Sequence, residues 1–333
     1  MGFLTKVKAL ALFSGGLDSI LVCKLMEQQG IEVEALHFIS PFFGRSKDQE
    51  SYPEEVWRRY GIRLSVIDVG GSFIEVLRNP PHGYGRCFNP CVDCKILLLT
   101  RARRELASRG ASFLASGEVL GQRPMSQRRD TLRIVERDAS VTGLLLRPLS
   151  ALKLPPTRVE EEGLVDRAGL LGISGRGRKE QMALARELGI HDYPAPAGGC
   201  VLTDPALSRR IKNLFGALPV ITENACLLMQ VGRHFLLPGK SWLVVGRNEA
   251  ENKEIKGLFQ PGDLLMNITG GAGPTGLVRG AAPCSDRSLA AGIVAGYSRL
   301  RGEPEVQVSI RGDGCETIKA TPAPSDALHL YRL

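Results

Sequence analysis

Short apolar runs rich in β-branched residues alternate with amphipathic stretches of helical spacing through the first third of the chain. Helices are predicted up to about residue 29 and over residues 53–60. Strands that alternate with helices in this way pack as a parallel sheet with helices on both faces. We therefore predict a doubly wound α/β domain, in which ligands bind at the carboxyl ends of the strands. The predicted strands cover residues 7–13, 32–38, 63–69, 112–115 and 143–147.

A second, smaller domain is predicted after residue 205. The sequence becomes rich in proline and charge after Lys153, and a helix predicted over residues 179–188 leads to a Gly-Gly-Cys segment that ends at Cys200. Short strands separated by glycine turns then predict an α+β domain. The predicted organisation is therefore an α/β domain over residues 1–205 and an α+β domain over residues 206–333. Its predicted strands cover residues 235–237, 241–245, 263–268 and 277–279, with further short strands within 305–333.

The charge of the chain is compatible with a polyanionic partner. There are 43 Lys and Arg against 35 Asp and Glu, a formal net charge of +8. Such a charge fits RNA, but on its own it fits an ordinary basic protein equally well. No apolar run reaches the roughly 18 residues that a membrane span needs. We therefore expect a cytoplasmic protein with no membrane partner, whose eight cysteines are thiols, metal ligands or redox groups rather than structural disulfides.

A Ser-Gly-Gly-Leu-Asp-Ser segment follows the first predicted strand, at residues 14–19. Two glycines let backbone N–H groups approach a phosphate closely, and the helix that follows directs its positive end to the same place. The segment lacks the Gly-Lys-Ser/Thr of a Walker A loop. The strand-to-helix context therefore favours a different phosphate loop over an ordinary glycine turn with an N-capped helix.

This segment resembles the PP-loop of ATP pyrophosphatases, whose domain is of the adenine nucleotide α-hydrolase type. The resemblance implies that ATP is cleaved between its α and β phosphates, that a carbonyl oxygen of the substrate is adenylated, and that pyrophosphate is released. It also implies roles for the loop residues. Gly15 and Gly16 would bind pyrophosphate through backbone N–H groups, Ser14 and Ser19 would donate hydroxyls, and Asp18 would help bind Mg²⁺.

Two residues at the tip of the second predicted strand are candidates for the adenine pocket. His37 and Phe38 stand where a parallel sheet places its ligand. A strand-end histidine whose ring nitrogens are satisfied by hydrogen bonds is the alternative for His37.

Two further segments bear on the identity of the substrate. Residues 117–122 read Gly-Glu-Val-Leu-Gly-Gln, and residues 147–149 read Arg-Pro-Leu. Both resemble segments of the tRNA 4-thiouridine synthases of the ThiI family, and with the PP-loop they span roughly residues 5–205. The resemblance implies that Gly117 and Gln122 contribute to the ATP site and that the substrate is a tRNA uridine. No THUMP-type domain is expected before the first strand, and no rhodanese-like domain after residue 205.

Three cysteines are candidates for sulfur chemistry. Cys91 and Cys94 form a Cys-Xaa-Xaa-Cys motif shortly after Cys87, and Cys200 lies far along the chain. A Pro-Cys-Val-Asp-Cys-Lys loop with a distant third cysteine resembles the iron–sulfur-dependent tRNA thiolases of the PP-loop group. That resemblance implies a [4Fe-4S] cluster on Cys91, Cys94 and Cys200 with one iron open to sulfide. A persulfide or disulfide relay through Cys94 and Cys200, or a structural zinc site that includes Cys87, are the alternatives.

Basic residues supply candidates for RNA contact. Arg123, Arg128 and Arg129 flank Gln122, where they are either solvated or contact phosphates. In the second domain, roughly residues 218–282 resemble the NFACT-R domain, whose role is RNA binding, through a Gly-Arg-Asn core. There Arg247 could contact RNA or cap a turn, and the asparagine that follows it is a natural helix N-cap.

The sequence as a whole predicts ATP-dependent thiolation of a tRNA uridine, with 4-thiouridine favoured as the product. The expected partners are tRNA and a sulfur donor, either sulfide or a cysteine desulfurase. Two alternatives are kept. A PP-loop amide synthetase or small-molecule sulfur-transfer enzyme would turn over ATP without regard to tRNA, and a non-catalytic RNA-binding protein would not turn it over at all.

Overall fold

The computed structural model describes residues 7–45, 48–195 and 199–333. The chain divides into two compact units, Met1–Val201 and Leu202–Leu333. The predicted boundary after residue 205 lies one residue inside the helix Pro205–Ala217. Within the described ranges, no helix combines the length and the apolar character required to cross a bilayer.

The first unit contains a five-stranded parallel sheet in the order β3-β2-β1-β4-β5. Its strands are β1 (Lys8–Leu12), β2 (Glu32–Ile39), β3 (Arg63–Asp68), β4 (Phe113–Ser116) and β5 (Leu145–Leu146). All four strand pairs are parallel. The order reverses beside β1, because the chain fills one side of β1 first and then crosses to β4 on the other. The predicted doubly wound α/β domain is thereby confirmed.

Helices cover both faces of this sheet. They are α1 (Leu17–Gln28), α2 (Tyr52–Tyr60), α3 (Gly70–Arg78), α4 (Cys91–Ser108), α5 (Arg129–Asp138), α6 (Arg158–Glu161) and α7 (Lys179–Glu187). The buried side chains of α1 and α7 share one hydrophobic cluster, and those of α4 and α5 share another. Along β1, Ala9 and Ala11 belong to the first cluster, whereas Leu10 belongs to the second. A central parallel strand is apolar on both faces for this reason.

The second unit contains a six-stranded antiparallel sheet in the order β11-β10-β8-β9-β7-β6. Its strands are β6 (Arg233–Leu236), β7 (Trp242–Val245), β8 (Leu264–Ile268), β9 (Gly276–Arg279), β10 (Val306–Arg311) and β11 (Cys315–Ala320). Its helices are α8 (Pro205–Ala217), α9 (Glu223–Leu228), α10 (Glu249–Gly257), α11 (Cys284–Gly296) and α12 (Ser325–Leu330). The predicted α+β class is confirmed.

The end of the chain contains the predicted short strands and a helix that the sequence did not predict. Within residues 305–333 the strands β10 and β11 are followed by the helix α12. Pro324 precedes this helix, and Leu328 is buried in the hydrophobic cluster of the second unit. A single buried leucine in six residues gives a periodic signal too weak to separate a helix from a strand.

Candidate nucleotide and cysteine site

The glycine loop joins β1 to α1 at the carboxyl edge of the parallel sheet. Gly15 has φ +78°, a backbone conformation that strongly favours glycine, and a Cβ added there would lie 2.6 Å from Oη of Tyr52. Gly16 is the N-cap residue of α1, and no described side chain caps this helix by a hydrogen bond. The first backbone N–H groups of α1 are therefore directed at the loop, where a helix N-terminus favours an anion.

The two serines shape this loop. The Ser19 hydroxyl donates to the carbonyl oxygen of Gly16 over 2.7 Å and accepts the backbone N–H of Ser14 over 3.3 Å. Ser19 is buried, whereas Ser14 is exposed and its hydroxyl accepts the N–H of Gly16 over 3.5 Å. In this arrangement the Ser19 proton is used inside the loop, and the Ser14 hydroxyl is the one that faces solvent.

Asp18 is brought together with two residues that lie far away in the sequence. Its Oδ2 accepts a hydrogen bond from Nε2 of Gln122 over 3.1 Å and lies 3.7 Å from Nη2 of Arg178. Its Oδ1 is buried, and no hydrogen-bond donor contacts it among the described residues. A buried carboxylate oxygen without a partner is costly. Its position beside a phosphate loop therefore fits a hard cation such as Mg²⁺, which prefers oxygen ligands.

Gly117 permits this contact between the two loops. A Cβ added at Gly117 would lie 2.8 Å from the carbonyl carbon of Asp18 and 2.9 Å from the backbone N of Ser19. The end of β4 therefore packs directly against the start of α1, because β4 is paired with β1. This close approach brings Gln122 to Asp18.

A buried ionic network lies next to Gly117. Glu118 contacts Nε of Arg147 at 3.1 Å and Nζ of Lys95 at 3.5 Å, and Arg147 also pairs with Glu136. Burial raises the pKa of Glu118, but the positive charges of Lys95 and Arg147 outweigh this effect, and the pKa lies below its ordinary value. The Arg-Pro-Leu segment thus supplies a buried structural arginine. Lys95, which follows Cys94 directly, connects this network to the cysteines.

Cys91 and Cys94 lie in the first turn of α4. The pKa of the Cys94 thiol is raised to about 12, chiefly by burial; Lys95 and Arg123 lower it, whereas the charges of Cys91 and Cys200 raise it. Cys91 and Cys200 therefore both lie within electrostatic reach of Cys94, and we call these three residues the cysteine corner. Cys87 is exposed and has φ +61°, which is unusual for a residue other than glycine.

The cysteine corner matches a soft cation in the type of its donor atoms. Three thiols near one another suit iron or zinc. However, no group of three or more His, Cys, Asp or Glu lies close enough to hold a metal ion anywhere in residues 7–45, 48–195 and 199–333. The described arrangement is therefore not that of a metal site.

The loop before α4 is fixed by a histidine that the sequence did not single out. Nδ1 of His82 lies 2.7 Å from Oδ1 of Asp93, and the backbone N–H of His82 donates to Oδ2 of the same carboxylate over 3.0 Å. Nε2 of His82 lies 3.1 Å from Asp138 in α5. These contacts hold the loop against the turn that carries Cys91 and Cys94. The sequence signal for this contact was Asp93, an acidic residue inside the Cys-Xaa-Xaa-Cys motif, which is buried in the structure.

The two candidates for the adenine pocket are differently placed. His37 is buried, with Nδ1 3.0 Å from the carbonyl oxygen of Phe13 and Nε2 2.7 Å from that of Gly44. The alternative of a hydrogen-bonded strand-end histidine therefore describes it, and its ring contacts Tyr52 with centroids 4.9 Å apart. Phe38 packs in the hydrophobic cluster beneath α4 and α5. The adenine-lining role of both residues stays a prediction.

The candidate RNA-binding arginines differ in the contacts that they make within the protein. Arg128 lies 3.3 Å from Asp130, and Arg129 donates to the carbonyl oxygen of Lys153 over 2.8 Å. The guanidinium of Arg123 is exposed, and the backbone N–H of this residue donates to Gln127 over 2.9 Å.

In the second unit, the guanidinium of Arg247 is paired with a carboxylate. Its Nε donates to Oε1 of Glu251 over 2.8 Å. Asn248 accepts the backbone N–H of Glu251 over 3.0 Å and is the N-cap of α10, as the structural alternative predicts.

Both units are similar to known protein families. Residues 4–154 match the family model described as thiamine biosynthesis protein (ThiI). Over these residues the first unit is similar to a ThiI-type domain. Residues 232–332 match the model of the NFACT protein RNA binding domain. Both resemblances predicted from the sequence are thereby confirmed.

Curated relatives share only part of their length with this chain. A probable tRNA sulfurtransferase of Thermoanaerobacter sp. (strain X514) is 31% identical over 149 residues, which are 44% of this chain and 37% of the relative. A probable tRNA sulfurtransferase of Thermococcus kodakarensis is 28% identical over 168 residues, 50% of this chain and 42% of the relative. The chain thus spans well under half the length of these relatives.

Among solved structures, the chain is similar to the U34-tRNA thiolase NcsA from Methanococcus maripaludis with its [4Fe-4S] cluster. The likeness covers 67% of this chain and 70% of the other, at 18% identity and a TM-score of 0.35. A likeness at this level does not transfer a site.

Proposed function

We propose that the chain is an ATP-dependent tRNA uridine thiolase. In this proposal the ThiI-type domain adenylates a uridine carbonyl oxygen, and sulfur replaces the adenylate to give thiouridine, with 4-thiouridine favoured. The NFACT-type domain helps to hold the RNA. A cytoplasmic location follows from the substrate.

One observation carries this proposal, namely the continuous contact between the phosphate loop and the cysteine corner. Gly117 packs on Asp18, the neighbouring Glu118 contacts Lys95, and Lys95 follows Cys94 in α4. An activated carbonyl and a sulfur donor must meet for thiolation to occur. A nucleotide site built against three cysteines supports that pairing better than it supports an amide synthetase.

The nucleotide chemistry uses the residues around Asp18. The uridine oxygen forms a bond to the α-phosphorus as the bond between that phosphorus and the bridging oxygen of pyrophosphate breaks. Backbone N–H groups at Gly15, Gly16 and the start of α1 would receive the pyrophosphate. Arg178 would add a positive charge to the leaving group. Asp18 Oδ1 would hold Mg²⁺, which offsets the negative charge that leaves with pyrophosphate.

The sulfur chemistry uses the cysteine corner. A sulfur nucleophile attacks the adenylated carbon, the carbon–oxygen bond breaks, and AMP leaves with the original oxygen. The raised pKa of Cys94 keeps it a neutral thiol at neutral pH, so it requires a cation or a neighbouring base before it can act as a thiolate. The [4Fe-4S] cluster that the sequence resemblance implies on Cys91, Cys94 and Cys200 stays a prediction, since the described arrangement of these residues is not that of a metal site. A persulfide relay through Cys94 and Cys200 remains the alternative, and zinc is the weaker one.

The test combines anaerobic purification with a thiolation assay. The protein is analysed for iron, zinc and visible absorbance, and unmodified tRNA is then incubated with ATP and sulfide. We expect thiouridine to form in step with AMP, and expect Cys94→Ser and Cys200→Ser to abolish thiouridine while tRNA binding persists. Cys284→Ser, an exposed cysteine of the second unit, serves as the matched control. Full thiolation by iron-free protein would exclude the cluster, and thiolation by Cys94→Ser would exclude the cysteine corner.

A further inference from the structure

An exposed apolar surface lies beside the cysteine corner. Tyr84 and Met125 are 39% and 43% exposed, and they belong to two different loops. These loops touch, since a Cβ added at Gly85 would lie 2.6 Å from both Sδ and Cε of Met125. The ring of Phe88 stacks on that of Tyr84. We call Tyr84, Phe88 and Met125 the apolar platform.

The apolar platform is held in place before any ligand binds. The Tyr84 hydroxyl donates to the carbonyl oxygen of Leu77 over 2.6 Å, and its ring centroid lies 4.3 Å from that of Phe88 at an interplanar angle of 27°. The backbone N–H of Gly85 donates to the carbonyl oxygen of Asn89 over 2.8 Å. His82 ties the same loop to Asp93, as described above. A ring fixed in this way loses little conformational entropy when a partner stacks on it.

The two segments that form the apolar platform carry basic side chains. Residues 82–89 and 121–129, the two segments that form it, contain four arginines and no acidic residue. Arg86 and Arg123 are exposed. Aromatic side chains among arginines are the composition of surfaces that bind single-stranded nucleic acid, because bases stack on the rings and phosphates pair with the guanidinium groups.

We propose that the apolar platform stacks an unpaired base of the substrate RNA, one that flanks the reacting uridine, while Arg86 and Arg123 contact the adjoining phosphates. Every base has a π-face, so this contact accepts any of the four bases. It would position the strand rather than read its sequence. The assignment rests on the proposed function for the identity of the reacting base.

The test measures stacking directly. The probe is a uridine oligomer of about ten nucleotides with a central 2-aminopurine, whose emission falls when the base stacks on an aromatic ring. We expect quenching with the wild-type protein and with Tyr84→Phe, which keeps the ring. With Tyr84→Ala we expect no quenching and about tenfold weaker affinity for unmodified tRNA. Trp57→Ala, which removes another exposed aromatic ring of the first unit, is the matched control and is expected to behave as wild type.

The outcomes separate this proposal from the proposed function. Absence of quenching with the wild-type protein, or equal quenching with Tyr84→Ala, overturns the apolar platform even where the protein thiolates tRNA. Quenching that depends on Tyr84 supports the apolar platform even where no thiouridine forms, and in that case only the proposed reaction fails. Thermal unfolding of each variant shows whether a lost signal reflects a lost fold.

Discussion

Asp18 is the residue on which the proposed nucleotide chemistry depends most directly. Its buried Oδ1 has no donor among the described residues, and its Oδ2 is shared by Gln122 and Arg178. We predict that Asp18→Asn lowers the rate of AMP formation by about 100-fold, because it removes the charge that would hold Mg²⁺ while keeping the side-chain shape. AMP is measured in the presence of tRNA, and tRNA affinity should not change. Asp130→Asn is the matched control, and AMP formation by Asp18→Asn at the wild-type rate would contradict the assignment.

The junction between β4 and α1 depends on a residue without a side chain. Gly117→Ala places a Cβ within 2.8 Å of the Asp18 backbone. We predict a loss of roughly 1–3 kcal/mol in the free energy of unfolding, together with weaker ATP binding, because the two loops must separate. Denaturant unfolding and ATP titration measure the two effects. Gly172→Ala is the control, since a Cβ there would make an ordinary contact of 3.5 Å with Leu152, and equal behaviour of the two variants would refute the close approach.

The buried ionic network around Glu118 should make the free energy of unfolding depend on pH. Glu118→Gln leaves Arg147 and Lys95 with less negative charge, and we predict a loss of about 3–5 kcal/mol in the free energy of unfolding at neutral pH. The folded-state pKa of Glu118 is lowered, so its contribution is present above the unfolded-state pKa near 4.3 and disappears as pH falls through the folded-state pKa. The difference between the two proteins should therefore shrink in acid. A difference that grows below pH 4 would be inconsistent with a paired carboxylate.

The sequence pattern was sufficient to predict the strands of the first unit, but not which distant side chains contact one another. Apolar runs rich in β-branched residues located all five strands of the first unit, and the Ser-Gly-Gly segment located the loop between β1 and α1. The contact of Asp18 with Gln122 spans 104 residues, and the contact with Arg178 spans still more. Such pairs depend on which strand adjoins β1, which the sequence does not state. The sequence pattern alone therefore does not place Arg178 beside Asp18 or Lys95 beside Glu118.

At the scale of the whole molecule, the net charge of +8 attracts a polyanion such as RNA without regard to sequence. A local contact is recognised only when its effect on affinity exceeds this general attraction. We predict that tRNA affinity falls steeply with salt, and that Arg123→Gln lowers the slope of log affinity against log salt by about 0.7 to 0.9. Arg58→Gln, an exposed arginine on α2, removes the same charge elsewhere and should leave the slope almost unchanged. Equal effects of the two variants would mean that RNA responds to net charge alone.

The most direct test of the proposed thiolation is to compare the amounts of nucleotide and RNA products that form in one reaction. Purified protein is incubated with ATP, Mg²⁺, sulfide and unmodified tRNA, and AMP, pyrophosphate and thiouridine are measured together. We predict that all three products appear in equal amounts and that none appears without tRNA. Formation of ADP, or AMP formation that proceeds equally without tRNA, would contradict it.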